Sequence, residues 1–332
     1  MAANLTNDNV GLSLPKNREL VTPVSSVTEG QSWQSCAGLN RIVSKYVTMA
    51  IAENSRRAYR QDLADFQRWG GNVPCSPEML AAFIADRAAT LSPHTITRRV
   101  VGISKAHTSK GLPDPAKSDL VRTVLRGIRR KNGKPQRQVT PVLKQDLLAM
   151  LPLMIGVKGL RDRALILLGF AAALRRSELV ALDVVDLQFV REGLVLHLRR
   201  SKTDQEGQGR KIGVPFGRTA ACPGKAVQEW LSHSKIETGA IFRPVNKAGA
   251  VGDRLTAQSV ALIVKSYAKA VGLPSANYAG HSLRSGLVTS AAMAGVADRK
   301  IQQQTGHRSL EMLHRYVRDA NAFVDNAAGA VL

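Results

Sequence analysis

Apolar residues recur at helical spacing along most of this chain. The first clear run is residues 54–70, NSRRAYRQDLADFQRWG, where Tyr59, Leu63, Phe66 and Trp69 share one helical face and Asn54 stands at the cap position. Two further helices open on Ser-Pro pairs, Ser76-Pro77 and Ser92-Pro93, and the second of them stops at Gly111. A fourth helix is predicted over residues 118–133, ending near Gly133. Residues 1–38 are rich in Ser, Thr, Asn, Gly and Pro and carry no such period, which predicts a disordered arm. Residues 39–131 then make an all-α unit.

The pattern lapses over residues 132–143, a basic stretch that reads as a linker. Helices resume at residues 143–154 and 159–174, the second apolar enough to be a central core helix. Strand-like runs at 193–200, GLVLHLRR, and 210–216, RKIGVPF, flank the polar, glycine-containing turn SKTDQEGQG and predict a β-hairpin. Residues 239–245, GAIFRPV, are a candidate third strand, and residues 222–231 and 255–272 are helical again. The expected fold class is mainly α with a small antiparallel β-sheet: an all-α unit, then an α+β unit over 144–332.

Length agrees with two domains, and 44% hydrophobic residues suffice for real cores. Charge changes the picture more. The chain has 47 Lys plus Arg against 25 Asp plus Glu, a net charge of +22, which points to a polyanionic partner, most often nucleic acid. An anionic membrane surface is the rival partner, but there is no apolar run of spanning length, signal peptide or lipidation motif. The charge is also uneven. No Asp or Glu occurs between Asp86 and Asp114, or between Asp119 and Asp146. Arg56, Arg57, Arg98, Arg99, Lys105, Arg129 and Arg130 are the candidate DNA contacts of the helical unit. The plain alternative is a solvated face, which usually carries both signs of charge. Cys36, Cys75 and Cys222 show no metal or disulfide spacing, which agrees with a reducing, intracellular compartment. No glycine loop for a nucleotide cofactor is present.

Candidate chemistry gathers late in the chain. In HSLRSG, His281 and Arg284 are three residues apart and share a helical face. In TGHRSLEMLHRYVR, Gly306 breaks the chain, Ser309 can cap a new helix, and Tyr316 follows about two turns later. Such a set could bind a phosphate and attack it, although a tyrosine in an amphipathic helix is usually core. Upstream, ALRRSELVAL places Glu178 three residues after Arg175, and Lys202 sits at the mouth of the hairpin.

Taken in order, the Arg of LRRSEL, the hairpin Lys, HSLR, TGH and the Tyr of RYVR resemble the boxes of the tyrosine recombinase, or phage integrase, family. His307 and Tyr316 are nine residues apart, which also matches. The likeness covers about residues 40–332 and has a Cre-like two-domain layout, with a core-binding domain followed by a catalytic domain. It implies a C-shaped clamp on double-stranded DNA that performs site-specific recombination without metal, ATP or other cofactor. Tyr316 would be the nucleophile, forming a 3′-phosphotyrosyl link. Arg175 and Arg284 would hold the non-bridging phosphate oxygens, and Lys202 would protonate the leaving 5′-oxygen. His281 would help take the tyrosine proton, His307 would hydrogen-bond the phosphate, and Glu178 would orient a catalytic group. The likeness further implies a homotetramer on two DNA sites, assembled from monomers through a docking tail at about 319–332, in the cytoplasm of a bacterium or phage host, at the nucleoid. A tail folded on its own domain is the alternative.

Other readings stay open at this stage. Arg176 competes with Arg175, Lys211 with Lys202, and Glu178 could merely stabilise its helix's first turn. His314 and Tyr278 match no box and read as structural. A type IB topoisomerase-like enzyme would show the same boxes, and so would a DNA-binding protein with a vestigial site. Two positions depart from the family pattern. Ala172-Ala173 stands where Thr-Gly is common, and Ser285-Gly286 stands where His-Thr is common, which leaves the local bends in question.

Overall fold

The structure is a computed structural model describing residues 46, 49–133, 138–199, 209–311 and 313. The expected arm (1–38), Lys202, His314, Tyr316 and the expected tail (319–332) lie outside the described residues. The chain divides into two compact units, Met1–Pro135 and Gln136–Leu332.

The first unit contains α1 (Glu53–Arg68), α2 (Pro77–Arg87), α3 (Pro93–Thr108) and α4 (Asp119–Asn132). The hydroxyls of Ser76, Ser92 and Ser118 accept from the backbone N–H groups of Met79, Thr95 and Val121, so all three caps satisfy a donor the helix leaves open. Asn54 does not cap α1. The helix begins at Glu53 with Ala52 at the cap position, which brings the Glu53 carboxylate to its positive end, and the Asn54 side chain accepts from Arg57 Nη2 at 3.1 Å instead. Phe66 of α1 and Trp69 at its C-terminal cap meet the Phe83 ring edge-on, with centroids 5.0 and 5.4 Å away, over a core that includes Leu80, Ile84, Ile96, Ile103 and Val121.

Asp62, on the buried side of α1, is 2% exposed and pairs with Arg98 of α3, while Asp65 pairs with Arg99 of α3 and with Arg87 at 3.3 Å. These carboxylates bind α1 to α3. The sequence windows without acidic residues are therefore neutralised in part from another helix.

The second unit contains α5 (Lys144–Met150), α6 (Gly156–Ala171), α7 (Arg176–Ala181), β1 (Leu187–Val190), β2 (Gly193–Leu198), β3 (Arg210–Pro215), α8 (Pro223–Ser234), α9 (Ala257–Ala270), α10 (Ser282–Met293) and α11 (Asp298–Thr305). The α6 run Ala164–Leu168 is buried throughout, as expected of a central helix. The sheet is antiparallel in the order β1-β2-β3, with Leu196 opposite Leu187 on one side and Ile212 on the other. The hairpin forms as the pattern predicts, and β1 is an addition that it does not.

Residues 239–245 do not join the sheet. Ala240 and Val245 make only isolated bridges, to Asp183 and Val251. Ile241 and Phe242 are both fully buried, so this stretch lacks the alternation of a strand with one wet face. Its polar groups are satisfied otherwise: Trp230 Nε1 donates to the Ile241 carbonyl at 2.8 Å, and the Ile241 N–H donates to Leu182 at 3.1 Å. The mainly α architecture with a small antiparallel sheet stands.

Two glycines bring the later chemistry together. A Cβ on Gly169 of α6 would lie 2.9 Å from Leu283 and 3.0 Å from Leu179, so its absence lets α7 and α10 close on α6. A Cβ on Gly286 would lie 1.9 Å from the Val142 carbonyl oxygen, where the chain entering the second unit crosses α10. The Val142 N–H donates to the Ser282 carbonyl at 2.9 Å in the same crossing. The departure at Ser285-Gly286 thus accommodates a close backbone approach.

Candidate active site

The site is built on the C-terminal end of α6. There the Ala173 N–H donates to Phe170 at 3.0 Å and the Leu174 N–H to Gly169 at 3.2 Å, the paired bonds of a Schellman ending. Ala173 has φ of 49°, so the left-handed bend forms although alanine stands where glycine is common, at a cost of about 1 kcal/mol. The bend releases two groups toward the site. The Ala173 carbonyl accepts from Arg284 Nη1 at 2.6 Å, and Arg175 is delivered to the cap position of α7.

Arg175 is half-buried and held by Glu178, whose carboxylate accepts from the Arg175 N–H at 2.9 Å and from its Nη1 at 2.6 Å. Glu178 is 5% exposed, so one buried carboxylate both closes the helix's first turn and fixes the guanidinium. Arg176, the neighbour, is exposed. Arg284, from α10, is 1% exposed, and its Nη2 lies 3.2 Å from His307 Nε2. A guanidinium can only donate, so Nε2 is the acceptor and the His307 proton resides on Nδ1, 2.7 Å from Thr305 Oγ1. The Thr305 hydroxyl in turn donates to the Ile301 carbonyl at 2.8 Å, and Gln302 Nε2 donates to the His307 carbonyl at 3.0 Å. His281 opens α10 from its cap position.

Charge is unevenly matched here. Burial is the largest cause lowering the His281 pKa, to about 4, followed by the charges of Arg284 and Arg175 against a weaker opposing effect of Glu178. His307 is also lowered to about 4, by burial first, then by Arg284, Arg175, His281 and Arg210. Arg210, the first residue of β3, is itself lowered by burial and by Arg175, with Glu178 opposing. The structure therefore brings Arg175, Glu178, His281, Arg284 and His307 together, with Arg210 beside them. Arg210 carried no sequence signal as a site residue because it belongs to no box, and Thr305, the first residue of TGH, was given no role of its own. Lys211 alternates with Arg210 along β3 and is exposed.

Both histidines are neutral when folded and bind protons more readily when unfolded. Their contribution to stability is complete above about pH 6.5 and is lost as pH falls toward 4. Thermal melts of the apo protein are expected to fall through that window, and His281→Gln should flatten the fall. An unchanged slope in that variant would remove His281 from the account.

Of the candidate DNA contacts, Lys105, Arg57, Arg129 and Arg130 are exposed, and Arg129 Nη2 reaches Thr97 Oγ1 at 3.4 Å. Arg56 pairs with Glu53, and Arg98 and Arg99 pair with Asp62 and Asp65. Among the described residues no group of three or more His, Cys, Asp or Glu could hold a metal ion, and no helix is long and apolar enough to cross a membrane.

The phage integrase family model matches residues 142–322. An integrase/recombinase XerD homolog from Selenomonas ruminantium is 40% identical over 288 residues, covering 83% of this chain and 84% of that protein. The recombinase Cre of Escherichia phage P1 is 26% identical over 281 residues, 78% of this chain and 79% of its own. Among solved structures, the XerH site-specific recombinase bound to a palindromic difH substrate superposes with a TM-score of 0.61 at 19% identity, covering 82% of this chain and 78% of that one. A lambda integrase dimer bound to a COC′ core site gives 0.61 at 16% identity, covering 88% and 79%, and these two likenesses speak to the fold. The chain belongs to the phage integrase family and is a site-specific tyrosine recombinase.

Proposed function

We propose that this recombinase cuts and rejoins double-stranded DNA with Tyr316 as nucleophile. One observation carries the residue-level reading. Arg175, Arg284 and Arg210 converge at the end of α6, beside two neutral histidines and the Glu178 carboxylate that fixes Arg175. Guanidiniums gathered in this way suit the non-bridging oxygens of a phosphodiester.

The Tyr316 oxygen bonds to phosphorus as the bond from phosphorus to the 5′-oxygen breaks. The tyrosine proton passes to His281, which is neutral at pH 7 and so able to accept it. Lys202 gives a proton to the departing 5′-oxygen. Arg175, held in place by Glu178, and Arg284 neutralise the charge that builds on the non-bridging oxygens. His307 supports Arg284 and hydrogen-bonds the phosphate once the anion draws a proton onto the ring. A phenol ionises near pH 10, about five units below an alcohol, so the phosphotyrosine keeps enough free energy for a 5′-hydroxyl to reverse it without ATP. Fixed guanidiniums take the role a metal would otherwise play.

In the same reading, residues 39–131 form the core-binding domain, 132–143 the linker and 144–332 the catalytic domain. Lys105, Arg57, Arg129 and Arg130 track phosphates, while Arg98 and Arg99 chiefly hold α3 to α1. Four protomers assemble on two DNA sites through residues 319–332, within the cytoplasm and at the nucleoid.

The test starts from a pool of nicked duplexes of randomised sequence, from which covalently held sites are recovered. Two labelled duplexes carrying such a site are then incubated with the protein in EDTA. Exchanged strands are expected. Relaxation of a supercoiled plasmid without exchange would contradict the recombinase reading.

A further inference from the structure

We infer that Arg210 is a positioning residue for the reaction, fixing the Gly306–His307 turn against β3 so that His307 and Arg284 stay aligned. This rests on the catalytic reading above. Arg210 Nη1 donates to the carbonyls of Gln304 at 3.1 Å and Gln303 at 3.3 Å, in the last turn of α11. A cation at that end meets carbonyls the helix cannot satisfy itself, and meets the negative end of its dipole.

Gly306 closes α11 in the left-handed conformation, at φ of 67°, and the guanidinium lies against it: an added Cβ would sit 2.5 Å from Nη1 and 2.8 Å from Cζ. Gln304 completes the joint by donating to Ala171 at 2.9 Å, on the end of α6, and to Gly213 of β3 at 3.2 Å. The residue after Gly306, His307, accepts from Arg284. A chain of contacts therefore runs from β3 through Arg210 and the α11 terminus to the two residues that face the phosphate.

The experiment uses Arg210→Ala, Arg210→Lys and Gly306→Ala. Its readouts are the covalent-adduct rate on a nicked duplex recovered from the randomised pool, and the NMR titration of His307 in DNA-free protein. Arg284, Arg175, His281 and Arg210 all act on the charge of His307, and of these only the last is changed by the arginine variants.

Arg210→Ala is expected to raise the His307 pKa and to slow adduct formation at saturating DNA on the order of a hundredfold, with the half-saturating DNA concentration unchanged. Arg210→Lys keeps the charge, so the titration should remain as in the wild type while the rate falls between the two. Gly306→Ala should slow the wild type but add little to Arg210→Ala. A wild-type rate and titration in Arg210→Ala would overturn the inference. So would a loss confined to half-saturation, or one matched by unfolding in a thermal melt. A wild-type protein that forms no adduct anywhere in the pool would instead sink the catalytic reading, and this inference with it.

Discussion

Arg284→Ala is expected to slow covalent attachment to DNA on the order of a thousandfold at saturating DNA, with affinity changed only a few-fold. The guanidinium is 1% exposed and bridges the Ala173 carbonyl and His307 Nε2. It is thus held before substrate arrives, and stabilisation by a preset charge needs no rearrangement as the phosphate gains charge. Arg284→Lys should recover little. An ammonium is a point charge and cannot reach two fixed acceptors and a phosphate oxygen through one planar fork. Stability should move much less than rate. The abandoned Ala173 carbonyl costs about 1–3 kcal/mol, and removing a buried cation from a site that also holds Arg175 and Arg210 near His307 offsets part of it. The measurement is adduct rate and melting temperature on the same preparations. A lysine variant at the wild-type rate would show that charge alone suffices, and that the fork geometry at the end of α6 is irrelevant.

The helical frame and the boxes were legible in the sequence for local reasons. Ser76 and Ser92 cap their helices because the cap bond is made within three residues, and such short-range chemistry survives in a string. His281 and Arg284 share a helix, and Arg175 and Glu178 a helix start, so their spacing already carried geometry. What was missed is non-local. Asp62 and Asp65 neutralise Arg98 and Arg99 from another helix, so a window free of acidic residues overstated the open charge of α3. Residues 239–245 look strand-like but are buried on consecutive positions, and their backbone partners come from Leu182, Trp230 and Leu255. Arg210 reads as the polar start of a strand. Its importance appears only when the end of α11, nearly a hundred residues later, is folded against it.

The departures from the family pattern are explained by the backbone. Ala173 accepts a left-handed φ in place of glycine, so Ala173→Gly should stabilise the second unit by about 1 kcal/mol without altering the bend. Gly286 is needed because Val142 crosses α10 at a distance that leaves no room for a side chain.

The central claim is that Tyr316 forms the covalent bond to DNA, and it predicts the largest effect of all. The Tyr316→Phe variant keeps the ring and removes only the oxygen that would join to phosphorus. Wild type and variant are each incubated with a nicked duplex recovered from the randomised pool, labelled at the 5′ end of the strand whose 3′-phosphate would join the protein, then resolved on a denaturing gel. The account predicts a 3′-linked protein–DNA adduct with the wild type and none with the variant, which should still bind the duplex as tightly as before. An undiminished adduct from Tyr316→Phe would contradict it outright.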